Sequence, residues 1–249
     1  MADQSDTLSE LIVAEQSACD SRGVAYAHIE LGNVHFLRAA YTDAWAFLDA
    51  GRVEATNLGD QLLENRCRHY GGMLALCEGR YELARTLATA ASTAWESENN
   101  RLPTAYAQMT LGTVELEEGH YEEANARFHH GLEVAMEYGD RTLLAHLLEG
   151  FSGLASALGQ HQRGVRLGGA AAALREAAGA PLGPAWAHIP ERWLAISREA
   201  LGEAASSAAW VAGRTVAIER VFEEAEGTAA APCRSQELQP MFSSPLRSV

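Results

Sequence analysis

The sequence predicts an all-α protein: an α-solenoid of antiparallel helix pairs, closed by C-terminal capping helices. Three observations carry this expectation. Marker residues recur at a step of about forty, as in Gly79, Gly119 and Gly159, in Tyr41, Tyr81, Tyr121 and His161, and in Asp20, Asp60, Asn100 and Asp140. A fixed period of this size is the signature of stacked supersecondary units. Alanine is abundant, and runs of Val, Ile, Thr and aromatic residues of the strand type are missing, which favours closely packed helices. Finally, the turn-like segments between apolar stretches are too short for anything but antiparallel neighbours.

In chain order, residues 6–19 open the sequence. Leu8, Leu11 and Ile12 stand one period before Leu48, Gly51 and Arg52, so residues 1–22 read as the second helix of an incomplete repeat. A free-standing array begins with a polar cap. The chain is therefore expected to be a fragment of a longer protein, or to have its first face covered by another chain. Residues 23–179 hold four repeats. In each, Asp20, Asp60, Asn100 or Asp140 can cap a first helix by accepting from free N–H groups of its first turn. That helix ends near Ala39, Gly79, Gly119 or Gly159, where glycine can take the left-handed conformation that reverses the chain. A second helix opens at Tyr41, Tyr81, Tyr121 or His161. Gly32, Gly72 and Gly112 fall mid-helix, a cost of roughly 0.5–1 kcal/mol relative to alanine. The cost is tolerable if a partner helix approaches there, as the small Ala44, Ala84 and Ala124 suggest. Residues 180–226 form the capping helices, with an interruption expected at Pro190 and a break at Gly213. Residues 227–249, with three prolines and no periodicity, read as a disordered tail.

The third copy, with Leu111-Gly112, Gly119, Tyr121, Ala124, Phe128 and Leu132, resembles the tetratricopeptide repeat, stretched from its usual length to forty residues. The second copy offers Gly72, Gly79, Tyr81, Ala84 and Ala88, and the first Gly32, Ala39, Tyr41, Ala44 and Leu48. A narrower likeness rests on Arg163, Arg166 to Ala171, Leu174-Arg175-Glu176, Gly179 to Leu182, Trp210 and Gly213-Arg214. In that order they resemble the end of the helical-repeat region of large bacterial signal-transduction ATPases and of LuxR-type, maltose-activator-like transcriptional regulators. The resemblance implies repeats that sense an inducer or partner protein and control an upstream nucleotide-binding domain. The sequence departs from those families in having no P-loop GxxxxGK[ST] and no basic helix-turn-helix end, so neither ATP nor DNA binding carries over to any residue.

Composition narrows the function further. The net charge of −14, from 33 acidic and 19 basic residues, offers no basic surface for nucleic acid. Cys19, Cys67, Cys77 and Cys233 form no CxxC pair, which fits reduced thiols in the cytoplasm. The polar start lacks a signal-peptide pattern, and no apolar run approaches the roughly 18–20 residues that span a bilayer. Among the histidines, His28 and His35 fit core or seam positions and the adjacent His129 and His130 fit the surface. No HExxH, GxSxG or EF-hand spacing occurs, so no cofactor, metal or catalytic residue is assigned. The run Glu115, Glu117, Glu118, Glu122 and Glu123 reads as a solvated face.

The remaining site is the concave groove that the first helices of such arrays line. Its positions select Tyr26, Asn33 and Phe36, then Arg66, His69 and Met73, then Tyr106, Met109 and Thr113, and finally His146 and Glu149. Aromatic, Met and Arg side chains suit an adaptable groove for a peptide or helix. The expected function is a non-enzymatic, cytoplasmic protein- or peptide-binding module of a bacterial signalling or transcriptional regulator. Its partner would be a protein segment, an upstream nucleotide-binding domain or an inducer, with neither direct nucleic acid nor membrane. The competing expectation is a small-molecule binder or enzyme with a pocket between the repeats and the C-terminal helices, near His146, Glu149, Trp186 and His188.

Overall fold

Ten helices and no strand make up the described part of the chain, residues 20–216 of a computed structural model. They are α1 (Ser21–Leu37), α2 (Tyr41–Leu58), α3 (Gln61–Cys77), α4 (Tyr81–Ser97), α5 (Arg101–Glu118), α6 (Tyr121–Tyr138), α7 (Arg141–Ala157), α8 (His161–Ala178), α9 (Pro184–Leu201) and α10 (Glu203–Thr215). The expected helix over 6–19, the stretch 217–226, the tail over 227–249, and Cys19 and Cys233 lie outside the described residues.

Local chemistry sets these boundaries. The Asp20 carboxylate accepts from the N–H of Arg22 and Gly23, at 3.1 and 3.0 Å, and Asp60 accepts from Leu63 N–H at 3.1 Å. Asp140 accepts from Thr142 and Leu143, at 3.0 and 2.9 Å. Each cap satisfies donors that the first turn leaves open. At the other ends the chain turns through one left-handed residue: Ala39, Gly59, Gly79, Asn99, Gly119, Gly139, Gly159 or Gly179. The next residue then donates its N–H back across the turn, as in Arg80 N to Ala75 O and Gln160 N to Ala155 O, both 2.8 Å. That six-to-one bond closes a Schellman motif.

The described residues divide into two compact units, 20–100 with Gly183–Trp186, and Arg101–Leu182 with 187–216. In the first, α1 packs on α2, α2 on α3 and α3 on α4, with α1 also touching α3. In the second, α5 packs on α6, α6 on α7 and α7 on α8, α5 touches α7, and α10 packs on α8. Both units therefore bury apolar side chains between consecutive helices. The first encloses Ile29, Leu31, Phe36, Leu74 and Leu76, and the second Met109, Leu116, Phe128, Leu143, Leu147, Phe151 and Trp193.

Glycines set the helix separations, though against different partners from those expected. A Cβ on Gly32 would stand 2.7 Å from Leu48 Cγ, and one on Gly112 would stand 2.7 Å from Phe128 Cε1. The close neighbours are thus large side chains filling the glycine notch, and only at Gly72 do Ala84 and Ala88 supply the contact, at 3.4–3.5 Å. Two expectations for the C-terminal helices are corrected. Pro190 does not interrupt α9, which runs unbroken through it; a proline inside a helix removes one backbone donor, and here that loss is tolerated. Gly213 does not break α10 either. It is buried where a Cβ would lie 1.9 Å from the Arg166 carbonyl oxygen, so it marks a close approach of α10 to α8.

Candidate functional site

The predicted groove residues separate into surface groups and interior ones. In the first unit, α1 and α3 bring Tyr26 and Arg66 together. The guanidinium of Arg66 lies 5.1 Å from the Tyr26 ring centroid and 2.9 Å from the Glu30 carboxylate. Tyr26 is 40% exposed, so this cation–π pair is available at the surface. His69 packs edge-on against Trp95, with centroids 5.5 Å apart, and beside Tyr70 at 5.4 Å. Burial, reinforced by the Arg66 charge, pushes its pKa down to about 4, so the ring is neutral near pH 7. Asn33 and Met73 are half-buried nearby on the same two helices, whereas Phe36 is fully buried.

In the second unit, Tyr106 donates its hydroxyl to the Asp140 carboxylate at 3.1 Å, which ties α5 to the cap of α7. Met109 and Thr113 are buried, and the Thr113 hydroxyl donates to the Met109 carbonyl at 3.0 Å. Phe36, Met109 and Thr113 therefore have no surface to offer a partner; they belong to the core. The cause is simple for α5, in which every residue from Thr104 to Glu117 except Tyr106 and Gln108 is buried, leaving no open face at Met109 or Thr113.

His146 and Glu149 form part of a buried ionic group that needed a third member. Arg175 on α8 donates from Nε and Nη2 to the two oxygens of Glu149, at 2.6 and 2.8 Å. The same Nη2 lies 2.9 Å from His146 Nδ1. Burial alone would raise the Glu149 pKa; the hydrogen bonds and charge of Arg175, with His146, outweigh it and hold the carboxyl below its ordinary range. Burial shifts His146 downward, against the opposing pull of Glu149. Sequence reasoning missed Arg175 as a site residue, although one signal was there. It is a cation within the alanine- and glycine-rich stretch of α8, as Glu149 is an anion in an apolar α7, and two such residues on packed helices are best satisfied by each other.

Glu149 and Arg175 also border a cavity of about 430 Å³ that lies wholly within the second unit. Its wall includes Gly168 and Ala172 of α8, Pro181 and Leu182 of the following connection, Pro190, Leu194 and Arg198 of α9, and Trp210 of α10. A pocket near His146, Glu149, Trp186 and His188 was expected; of these four, only Glu149 borders this one. Arg198 stacks on Trp210 instead, 5.0 Å from its ring centroid.

The acidic run over α5 and the start of α6 is corrected in part: Glu122 and Glu123 are exposed as expected. Glu115 and Glu117 are buried, not solvated. Glu115 is 3.0 Å from His120 Nδ1 and 3.7 Å from Arg127. Glu117 accepts from Trp193 Nε1 at 2.9 Å and also pairs with Arg192. Glu115, Glu118 and His120 stand close enough together to hold a cation, but the Arg127 guanidinium already neutralises Glu115.

A serine–histidine contact runs in the wrong direction for nucleophilic catalysis. Ser197 donates to Ser156 Oγ at 2.7 Å, and Ser156 donates to the Ser152 carbonyl at 2.8 Å. With its proton committed, Ser197 can only accept from His161 Nδ1, 3.2 Å away. A general base would have to take the proton from that serine, and Ser197 is fully buried. Ser152 completes the ladder by donating to the Gly164 carbonyl at 2.7 Å, fastening α7 to α8. No family model matches the chain, and no curated protein matches it.

Proposed function

We propose that the chain is a non-enzymatic interaction and regulatory module, a tetratricopeptide-like solenoid acting in the cytoplasm as the sensing part of a bacterial signalling or transcriptional system. The observation that carries this reading is the Tyr26–Arg66–Glu30 cluster. It places an exposed aromatic ring and a cation on neighbouring helices, the combination enriched at protein interfaces. Half-buried Asn33 and Met73 extend the same two helices with polar and adaptable contacts. The helix pairs, each turned through a left-handed residue, support the repeat assignment. The source and the partner class follow from the sequence resemblance alone.

The test is quantitative affinity co-purification with the wild-type chain and with the Tyr26→Ala/Arg66→Ala double variant, both shown to fold by circular dichroism. A partner on this surface is lost from the variant. An identical set of bound proteins would sink the reading.

A second reading is favoured by the cavity in the second unit, which has the size of a small-molecule site. In that reading the regulator responds to a small molecule held among α7, α8, α9 and α10.

A further inference from the structure

The charges around the cavity are unequally satisfied, and the inequality selects a ligand class. This inference rests on the small-molecule reading of the cavity. Of the acidic residues on the wall, Glu149 is neutralised by the bidentate Arg175, and Glu176 by Arg214 at 2.6 and 3.0 Å. Arg175 is largely spent on that pair, although its Nη1 makes no hydrogen bond among the described residues. Arg198 differs. Among the described residues it has no carboxylate partner, and its guanidinium stacks on Trp210. Stacking fixes the plane of a guanidinium while leaving its N–H edge free, the arrangement that suits two parallel hydrogen bonds to a carboxylate.

Apart from Ser152 and Glu191, the rest of the wall is apolar. Leu194 lies four residues before Arg198, and so on the same face of α9. Pro190 and Ala172, with Pro181 and Leu182 from the connection, continue that lining. Glu191 also borders the cavity and is exposed. It lies two turns of helix from Arg198, far enough to leave the cation's field intact at that end.

We propose that this cavity binds a small amphipathic carboxylate. The acid group pairs with Arg198, and the apolar portion rests on Pro190, Leu194 and Leu182. A neutral molecule of the same shape would forgo the charge-assisted pair, and a cation would meet Arg198 with like charge.

Isothermal titration calorimetry of the full chain with 4-phenylbutyrate, 4-phenylbutan-1-ol and 4-phenylbutylamine tests the proposal. The carboxylate is expected to bind at least about tenfold more tightly than the other two, as a charge-assisted bidentate pair implies. Arg198→Gln should erase that preference while leaving the alcohol unchanged, and Ala172→Phe, which fills the wall, should abolish binding of all three. Equal affinity for acid and alcohol, unaltered by Arg198→Gln, overturns the carboxylate assignment and leaves the cavity reading standing. So does tightest binding of the amine. Binding of none of the three, or binding untouched by Ala172→Phe, overturns the cavity reading itself.

Discussion

At the scale of single residues, two positions hold conformations or protonation states that their surroundings impose. Ala39 sits at φ 60°, in the left-handed region where the other turns, apart from Asn99, use glycine. An L-residue with a Cβ loses roughly 1–2 kcal/mol there, and glycine returns part of that to backbone entropy. Ala39→Gly should therefore raise stability by about 0.5–1 kcal/mol in urea unfolding, and no gain would mean that the turn is relaxed. His69 is the second case. Its folded pKa of about 4 lies below the ordinary value of 6.5, so the unfolded chain binds the proton first as the pH falls. Its contribution is complete above pH 6.5 and is lost progressively between 6.5 and about 4, by up to about 3 kcal/mol. His69→Phe should flatten the stability profile across that window; an unchanged acid limb would place the sensitive group elsewhere. The neutrality of His69 could not be read from sequence, because it depends on Trp95, Tyr70 and Arg66 closing around the ring. The two buried thiols are similar: burial, the main cause, pushes Cys67 up to about 12 and shifts Cys77 upward as well.

At the scale of helices, the sequence located the elements well and their contacts less well. Tyr41, Tyr81, Tyr121 and His161 do open helices, and Asp20, Asp60 and Asp140 do cap them. Both depend on neighbours in sequence, which a linear reading can weigh. Gly59, Gly139 and Gly179 turn the chain in the same way between pairs; the same glycine-after-helix signal could have found them. Contacts such as Gly112 with Phe128, or Gly213 with the Arg166 backbone, depend on how far one helix slides along another, and periodicity does not encode that distance. The glycines consequently differ in what alanine would do. A Cβ at Gly72 meets ordinary contacts of 3.4 Å and more, so Gly72→Ala should be neutral or stabilising by up to about 1 kcal/mol through helix propensity. At Gly213 it would strike backbone oxygen at 1.9 Å, which only separation of α8 and α10 relieves. Gly213→Ala should cost about 1–3 kcal/mol and weaken any ligand of the adjoining cavity. Equal thermal shifts for the two variants would refute the distinction.

For the molecule as a whole, the charge of −14 is the property that belongs to no single helix. Internal ion pairs consume most of the basic residues described here, among them Arg22 with Asp60, Arg66 with Glu30 and Arg175 with Glu149, and leave an acidic excess. Such an excess works against compactness through self-repulsion that salt screens. The midpoint of thermal unfolding should rise between about 10 and 150 mM sodium chloride; a fall would mean that the internal pairs dominate. The candidate site was legible only in part. Glu149 was found through its position in the fourth repeat, whereas Arg198 and Trp210 were not identified as site residues, because only the fold of α9 and α10 brings them to one wall. Residues assigned to a groove by helix position alone divided between surface and core, since position gives an angle and says nothing of what lies opposite.

Phe128 meets bare glycine backbone from two helices, Gly112 of α5 and Gly150 of α7, each close enough that a Cβ would stand 2.7 Å from the ring. Rotation of that ring by half a turn needs room that only a momentary parting of three helices can supply. Its flipping rate is therefore a clock for the breathing of the second unit, readable without unfolding it.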